Sequence, residues 1–151
     1  MRVSRCGGSV PDPRPGWDDY FLGIAEAVAA RADCTRSLVG AVMVAVGPVA
    51  GLPVIVGTGY NGAPPGVPGC LSEGACPRGQ LTTAECAPNS DYSNCVSDHA
   101  ERNCVRFTPR EHRQGATLYV TREPCPSCRT LITAARVGRV VWPGGEWIPS
   151  G

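Results

Sequence analysis

The sequence contains no lysine, so all 14 of its basic side chains are arginines. This absence excludes a lysine nucleophile or Schiff base, and it leaves arginine, a bidentate phosphate binder, as the main group for holding an anion. The net charge of +1 is too small to indicate the basic surface typical of nucleic-acid-binding proteins. Aromatic residues make up only 6% of the chain and form no aromatic-and-basic stripe of the kind that binds single strands.

No run of eighteen apolar residues occurs, so the sequence predicts no membrane-spanning helix. Residues 1–16 contain arginine but no apolar segment, which predicts a disordered tail rather than a secretion signal. Residues 17–151 are long enough for one domain and too short for two ordinary ones. Nine cysteines in a chain without a secretion signal indicate metal binding before disulfides, and a cytoplasmic location.

Hydrophobic patterning predicts that the first half of the domain is a helix followed by a hairpin. Apolar residues recur at helical spacing from Asp18 to Arg31, and acidic residues open this segment, which suits the positive end of a helix dipole. The valine-rich run Val39–Val46 is typical of a buried strand, and a second strand begins at Val54. Residues 61–97 are rich in Gly, Pro, Ser and Cys, and they predict a long loop of the kind that is often functional.

The second half of the domain alternates helices and strands. A helix is predicted to start near Asp98 and to be limited by Pro109. The pattern then predicts a strand over Ala116–Thr121, a helix over Cys125–Val137 and a last short strand over Val140–Trp142. This order of elements predicts one sheet covered by helices.

Two short motifs carry the side chains of a zinc site. They read Asp98-His99-Ala100-Glu101 and Pro124-Cys125-Pro126-Ser127-Cys128. Cysteines three residues apart face the same way on a helical turn, and proline is favourable just inside a helix start. Zinc accepts three such nitrogen and sulfur ligands and leaves a fourth position for water. The spacing H-x-E followed by P-C-x-x-C is the signature of zinc-dependent nucleobase deaminases, so His99, Cys125 and Cys128 are predicted metal ligands.

Glu101 is predicted to move protons rather than to bind the metal. In this hypothesis Glu101 takes a proton from a zinc-bound water, and the resulting hydroxide attacks an amidine carbon. Glu101 then delivers protons to the ring nitrogen and to the departing amine, which releases ammonia. Simpler interpretations remain open: Asp98 and Glu101 could form a capping box, and the two cysteines could be a redox pair or half of a structural zinc site.

These motifs resemble the cytidine/deoxycytidylate deaminase superfamily, and more narrowly its deoxycytidylate branch, from about Trp17 to Trp142. The segments that carry the resemblance are Trp17–Phe21, Cys34, Val39–Val42, Gly59–Pro64, His99–Asn103, Gly115–Thr121 and Glu123–Cys128. The zinc signature is shared across the superfamily, whereas Gly-Tyr-Asn-Gly-x-Pro is similar to the nucleotide-binding loop of the deoxycytidylate branch. The resemblance implies a three-layer α/β/α cytidine deaminase-like fold, with a mixed central sheet of about four to five strands.

The same resemblance implies a set of substrate-binding residues. Asn61 would hydrogen-bond the sugar or phosphate, with Gly59 and Gly62 allowing close approach of the backbone. The full set comprises Gly59, Tyr60, Asn61, Gly62, Ala100 and Pro124. A Gly-Asn turn that merely ends a strand is the alternative interpretation of this loop. Arg106, Arg110, Arg113 and Arg122 are candidates for the phosphate.

Some members of the superfamily bind a second, structural zinc, and the resemblance implies that Cys34 and Cys70 occupy two of its ligand positions. No histidine lies between residues 34 and 98, so Cys76, Cys86 and Cys95 could complete an all-cysteine site that holds the long loop. Free thiols or a disulfide are the alternatives.

The implied activity is the zinc-dependent hydrolytic deamination of a cytosine nucleotide, dCMP or CMP, with dCMP to dUMP as the leading hypothesis. Alternatives are deamination of a nucleoside, a base or another amidine-bearing metabolite, a nucleic-acid editor, and a non-catalytic zinc module. Relatives commonly continue into another strand and helix after the position of Trp142, which this chain is not expected to do. The resemblance also implies a homo-oligomer.

Overall fold

The computed structural model describes residues 11–78, 81–82, 84–85 and 95–150. Most of the predicted tail, together with Cys86, therefore lies outside the described residues. The described elements are α1 (Trp17–Ala29), β1 (Gly40–Val46), β2 (Pro53–Tyr60), α2 (Cys70–Glu73), α3 (Ala100–Phe107), a 3-10 turn (Arg110–His112), β3 (Thr117–Val120), α4 (Pro126–Ala134), β4 (Arg139–Trp142) and β5 (Gly145–Trp147). In the described part of the chain, no helix is long and apolar enough to cross a membrane.

The strands form one mixed sheet in the order β2-β1-β3-β4-β5. Strand β1 pairs antiparallel with both β2 and β3, β3 and β4 are parallel, and β4 pairs antiparallel with β5. The predicted hairpin is confirmed, with a register shift between Met43 and Val44. The parallel step needs a crossover, and α4 supplies it between β3 and β4.

Side chains alternate across the sheet and build a hydrophobic cluster on each face. Met43, Leu118 and Val140 face α3 and α4. Val42 and Tyr119, the neighbours of two of them, face α1. Because successive strand residues point to opposite faces, the helices lie in two layers around the sheet. The expected three-layer α/β/α fold is confirmed.

The structure differs from the predicted elements in three details. Val140–Trp142 is not the last strand, because Gly145–Trp147 forms β5 on the outer edge of the sheet. The long loop is not free of regular structure either, since it contains the single helical turn α2. Helix α4 also ends at Ala134, three residues before the predicted end, because Arg136 adopts a left-handed conformation with φ of 59°.

Candidate metal centre and its surroundings

The ends of two helices bring His99, Cys125 and Cys128 together. His99 is the N-cap residue of α3, and Cys125 is the N-cap residue of α4. Pro126 occupies the first turn of α4, and the Cys125 Sγ accepts a hydrogen bond from the Cys128 backbone N–H at 3.5 Å. One candidate ligand atom from each of the three residues lies within 4.8 Å of the other two. The sequence motifs therefore converge in space as predicted.

The separations between these atoms fit a zinc ion. His99 Nδ1 lies 3.6 Å from Cys125 Sγ and 3.3 Å from Cys128 Sγ. Bonds of about 2.3 Å to sulfur and about 2.0 Å to nitrogen at a tetrahedral angle separate the two ligand atoms by roughly 3.5 Å. The donor set of one imidazole and two thiols is also the one that zinc prefers.

Glu101 lies beside the three candidate ligands in a nearly closed environment. The residue is only 4% exposed, and this burial raises the pKa of its carboxyl group. A hydrogen bond with the Cys128 side chain and the backbone N–H of Glu101 itself partly offset the effect. Burial, followed by the charge of Glu101, raises the pKa of the Cys128 thiol. A buried carboxyl next to a metal-ligand cluster is suited to holding and transferring a proton.

The capping-box interpretation of Glu101 finds no support in the helix start. The N-cap of α3 is His99, and no side chain caps it. Asp98 instead accepts a hydrogen bond from the His99 backbone N–H at 3.0 Å. Glu101 is therefore available for a chemical role.

The predicted substrate loop lies against α3, and Gly59 makes this contact close. A Cβ atom at Gly59 would lie 2.2 Å from the Cys104 nitrogen and 2.5 Å from the Ala100 oxygen. Gly59 thus lets the backbone of β2 lie close to α3, the helix that carries Glu101. Ala100 is fully buried and Pro124 is buried, whereas Tyr60 is exposed.

Asn61 braces the segment that precedes β1. Its Oδ1 accepts from the Val39 backbone N–H at 2.7 Å, and its Nδ2 donates to the Ser37 carbonyl at 2.8 Å. An asparagine amide has two donors and two lone pairs, so one of each remains for another group. The predicted contact of Asn61 with a sugar or phosphate stays a prediction.

A hydrogen-bond network at this site was not predicted from the sequence. Arg106 donates to Asp98 Oδ2 at 2.6 Å and to Asn103 Oδ1 at 2.7 Å. Asn103 Nδ2 in turn donates to the Tyr60 carbonyl at 2.9 Å, and the backbones of Asp98 and Gly62 pair with each other. The network ties the start of α3 to the substrate loop. The spacing of three between Asn103 and Arg106, which places both on one helix face, is the signal that could have indicated it.

Four further thiols, one before the substrate loop in the sequence and three after it, influence one another's ionisation. Burial raises the pKa of Cys70 to about 12, with further contributions from Cys76, Cys34 and Cys95. Burial and Cys76 also act to raise the pKa of Cys95. Asp33 holds α2 in place here, since its Oδ1 accepts from the backbone N–H of Leu71 at 2.7 Å. Cys76 therefore lies within hydrogen-bonding reach of Cys70 and Cys95, whereas in the described part of the chain only His99, Cys125 and Cys128 form a cluster of three metal-ligating side chains.

Comparisons with known proteins agree with this geometry. Residues 15–143 match the family model described as the cytidine and deoxycytidylate deaminase zinc-binding region. The chain is 53% identical to a deoxycytidylate deaminase of Mycobacterium phage D29, over 86% of this chain and 96% of the phage protein. A deoxycytidylate deaminase of Schizosaccharomyces pombe is 36% identical over 85% of this chain, which spans only 37% of the yeast protein.

A solved structure supports the same assignment. The dCMP deaminase of cyanophage S-TIM5, in complex with dCMP and dUMP, superposes with a TM-score of 0.61 at 25% identity, over 85% of this chain and 82% of the phage chain. The fold, the His-Cys-Cys cluster and the family match agree with one another. The chain therefore belongs to the cytidine and deoxycytidylate deaminase family.

Proposed function

We propose that this protein is a deoxycytidylate deaminase, which converts dCMP and water into dUMP and ammonia. The observation that carries the proposal is the cluster of His99, Cys125 and Cys128 beside the buried carboxyl of Glu101. The preference for dCMP is supported by the names of the relatives, of which the phage D29 protein is matched over almost its whole length.

In this proposal His99 Nδ1 and the sulfurs of Cys125 and Cys128 hold a zinc ion. When bound, zinc supplies the Lewis acidity that makes a water molecule nucleophilic at neutral pH. Cys128 lies in the first turn of α4, where the positive end of the helix opposes the burial that raises the pKa of its thiol, and metal binding itself favours the thiolate form.

Glu101 carries the proton transfers. Burial raises the pKa of the Glu101 carboxyl group, which helps this group to hold a proton in one step and release it in the next. Glu101 takes one proton from the attacking water and gives it to the cytosine ring nitrogen, and it then takes the second proton from the new hydroxyl group and gives it to the amino group. The C–N bond at the ring carbon then breaks, and the amino group leaves as ammonia.

The nucleotide is proposed to contact the loop Gly59–Gly62, with Ala100 and Pro124 lining the base. The remaining donor and acceptor of Asn61 would bond the sugar or phosphate. Among the candidate arginines, Arg106 is engaged by Asp98 and Asn103, and Arg113 Nε donates to the Thr108 carbonyl at 2.8 Å. These engagements favour Arg110 or Arg122 as the candidates for the phosphate.

A second zinc held by Cys34 and Cys70, with further ligands from among Cys76, Cys86 and Cys95, is part of the proposal. The interaction of Cys76 with both Cys70 and Cys95 supports it, because cysteines are the usual ligands of a structural zinc. The zinc content of the purified protein is expected to be two per chain and to fall to one in Cys70→Ser. A value of one in both proteins would refute the second site.

We also propose a homo-oligomer in the cytoplasm. The end of the β1–β2 hairpin exposes apolar side chains that association would cover: Val46, Val49, Leu52, Val54 and Ile55. A reducing compartment suits the protein because its proposed metal ligands are thiols that must stay reduced. Light scattering on the purified protein measures its oligomeric state, and a monomer mass at micromolar concentration would contradict the proposed homo-oligomer.

The test of function is a substrate panel. The zinc-loaded protein is mixed with dCMP, CMP, deoxycytidine, cytosine and a cytosine-containing DNA strand, and ammonia release is followed. Turnover of dCMP well above all the others is the expected result. Turnover of deoxycytidine without dCMP would move the assignment to a nucleoside deaminase, and turnover of the DNA strand alone would indicate an editing enzyme.

A further inference from the structure

The short strand β5 is fastened by an arginine on each face of the sheet. On the α1 face, Glu146 of β5 receives a hydrogen bond from Arg139 Nε at 2.7 Å, and Arg139 also holds both carboxylate oxygens of Asp18 at 2.8 Å. On the opposite face, Trp147 of β5 packs against the cluster that contains Cys128. The guanidinium of Arg129 lies 5.0 Å from the centre of the Trp147 ring.

Arg129 contacts a second tryptophan ring and two residues that precede Cys125. Its guanidinium also lies over the ring of Trp142, at 5.7 Å. Its Nε donates to the Pro124 carbonyl at 3.2 Å, and its Nη2 donates to Glu123 Oε1 at 2.6 Å. A planar guanidinium can stack on aromatic faces and use its N–H groups at its edge at the same time, which lysine cannot do.

These bonds act on a segment in which Pro124 is buried but Arg122 and Glu123 are exposed. In the described structure, residues 122–124 take part in no backbone-to-backbone hydrogen bond. They connect the end of β3 to Cys125, which is itself only half-buried. Arg129 follows Cys128 directly on α4. Its contacts therefore hold Glu123 and Pro124, which lead to Cys125, in place relative to the helix that carries Cys128.

Trp142 and Trp147 keep Arg129 in this orientation. Trp142 lies opposite Gly145 in the β4–β5 pair, and a Cβ at Gly145 would lie 2.7 Å from the Trp142 ring. The glycine therefore lets the indole lie flat against β5, beside Trp147. Through these rings, the three-residue strand at the sheet edge is linked to the metal-ligand loop.

We propose that Arg129, whose guanidinium lies over Trp142 and Trp147, is a positioning residue that fixes the Pro124 carbonyl and thereby the Cys125 thiol for metal binding. The inference rests on the zinc site proposed above, and it adds a role for β5. Arg129 does not touch the reacting atoms. It acts through the geometry of the Cys125 ligand, in the way that groups around metal ligands generally tune affinity.

The test compares zinc affinity in two matched arginine variants, measured by competition of the zinc-loaded protein with a chelating dye. Arg129→Ala is expected to lower the affinity of the His-Cys-Cys site at least about tenfold. Arg139→Ala removes the arginine on the other face of the same strand and is expected to retain wild-type affinity. Visible absorption of the cobalt-substituted proteins reports ligand geometry independently of activity, and only Arg129→Ala is expected to change it.

A second pair of variants, at Trp147, controls for misfolding of the Arg129→Ala protein. Trp147→Ala is expected to weaken zinc binding, and Trp147→Phe, which keeps an aromatic face, is expected to restore it. Equal zinc affinity in wild type and Arg129→Ala, or equal losses in Arg129→Ala and Arg139→Ala, would overturn the inference while leaving the proposed function intact. A wild-type protein that binds no zinc at this site would overturn both.

Discussion

Replacing Gly59 with alanine would place a methyl group against the backbone of α3, and the distances give the size of the effect. The new Cβ would lie 2.2 Å from the Cys104 nitrogen and 2.5 Å from the Ala100 oxygen, whereas ordinary contact begins at 3.4 Å. The helix must therefore move by roughly 1 Å, and such a displacement of a catalytic group can cost about 100-fold in rate. Because Ala100 and Cys104 flank Glu101, this carboxyl would move with the helix.

The variant is also expected to lose about 1–3 kcal/mol of unfolding free energy, as overpacked sites commonly do. The assays are kcat for dCMP and urea unfolding. Gly23→Ala is the matched control, because its methyl group meets nothing within 4 Å, and its activity is expected to equal that of the wild type. A Gly59→Ala protein with wild-type kcat and stability would refute the claim that β2 sets the position of α3.

Three further outcomes follow from the same structure. Cys128→Ser is expected to lower the zinc content of the catalytic site, measured by metal analysis after dialysis; full retention would contradict its role as a ligand. The pKa of Asp18 lies below its ordinary value of 3.8 because Arg139 hydrogen-bonds it, so the stabilisation is present above pH 3.8 and lost as pH falls below it. Asp18→Asn should therefore lower the unfolding free energy by about 1 kcal/mol at pH 7, with no difference well below pH 3.8; a gap independent of pH would exclude the ion pair as its cause. Asn61→Asp replaces the donor to the Ser37 carbonyl with an acceptor and should cost about 1–3 kcal/mol in urea unfolding, whereas unchanged stability would deny its bracing role.

The metal site was predictable because its residues lie in two short sequence motifs. His99 and Glu101 lie two residues apart, and Cys125 and Cys128 lie three apart, so each motif is placed by a single helix start. Valine-rich β1 was predictable for the same reason, since its side chains are buried on both faces of the sheet. The family resemblance then linked the two motifs across the sequence, and the structure confirms their proximity.

The features that were missed depend on contacts between distant residues. Strand β5 has three residues and follows a Pro-Gly turn, so its own pattern is too short to indicate a strand. Its pairing with β4, and its links to Arg129 and Arg139, supply the stability that local preference does not. Helix α2 has only four residues and depends on Asp33 from a separate segment.

The Asn61 side chain fits two different roles. The sequence motif predicts a nucleotide contact, and the structure shows a brace between Ser37 and Val39. Both fit the chemistry of an amide with four hydrogen-bonding positions. The motif alone cannot separate them, because the brace joins residues more than twenty positions apart.

The central claim is that Glu101 moves protons at a zinc site that hydrolyses dCMP. The most direct measurement follows conversion of dCMP to dUMP by absorbance in wild type and Glu101→Gln, with the zinc content of both proteins matched. The wild type is expected to form dUMP and ammonia in equal amounts, while Glu101→Gln keeps its zinc and loses at least about 100-fold in kcat. Wild-type turnover by Glu101→Gln, or no dUMP from the zinc-loaded wild type, would contradict the account.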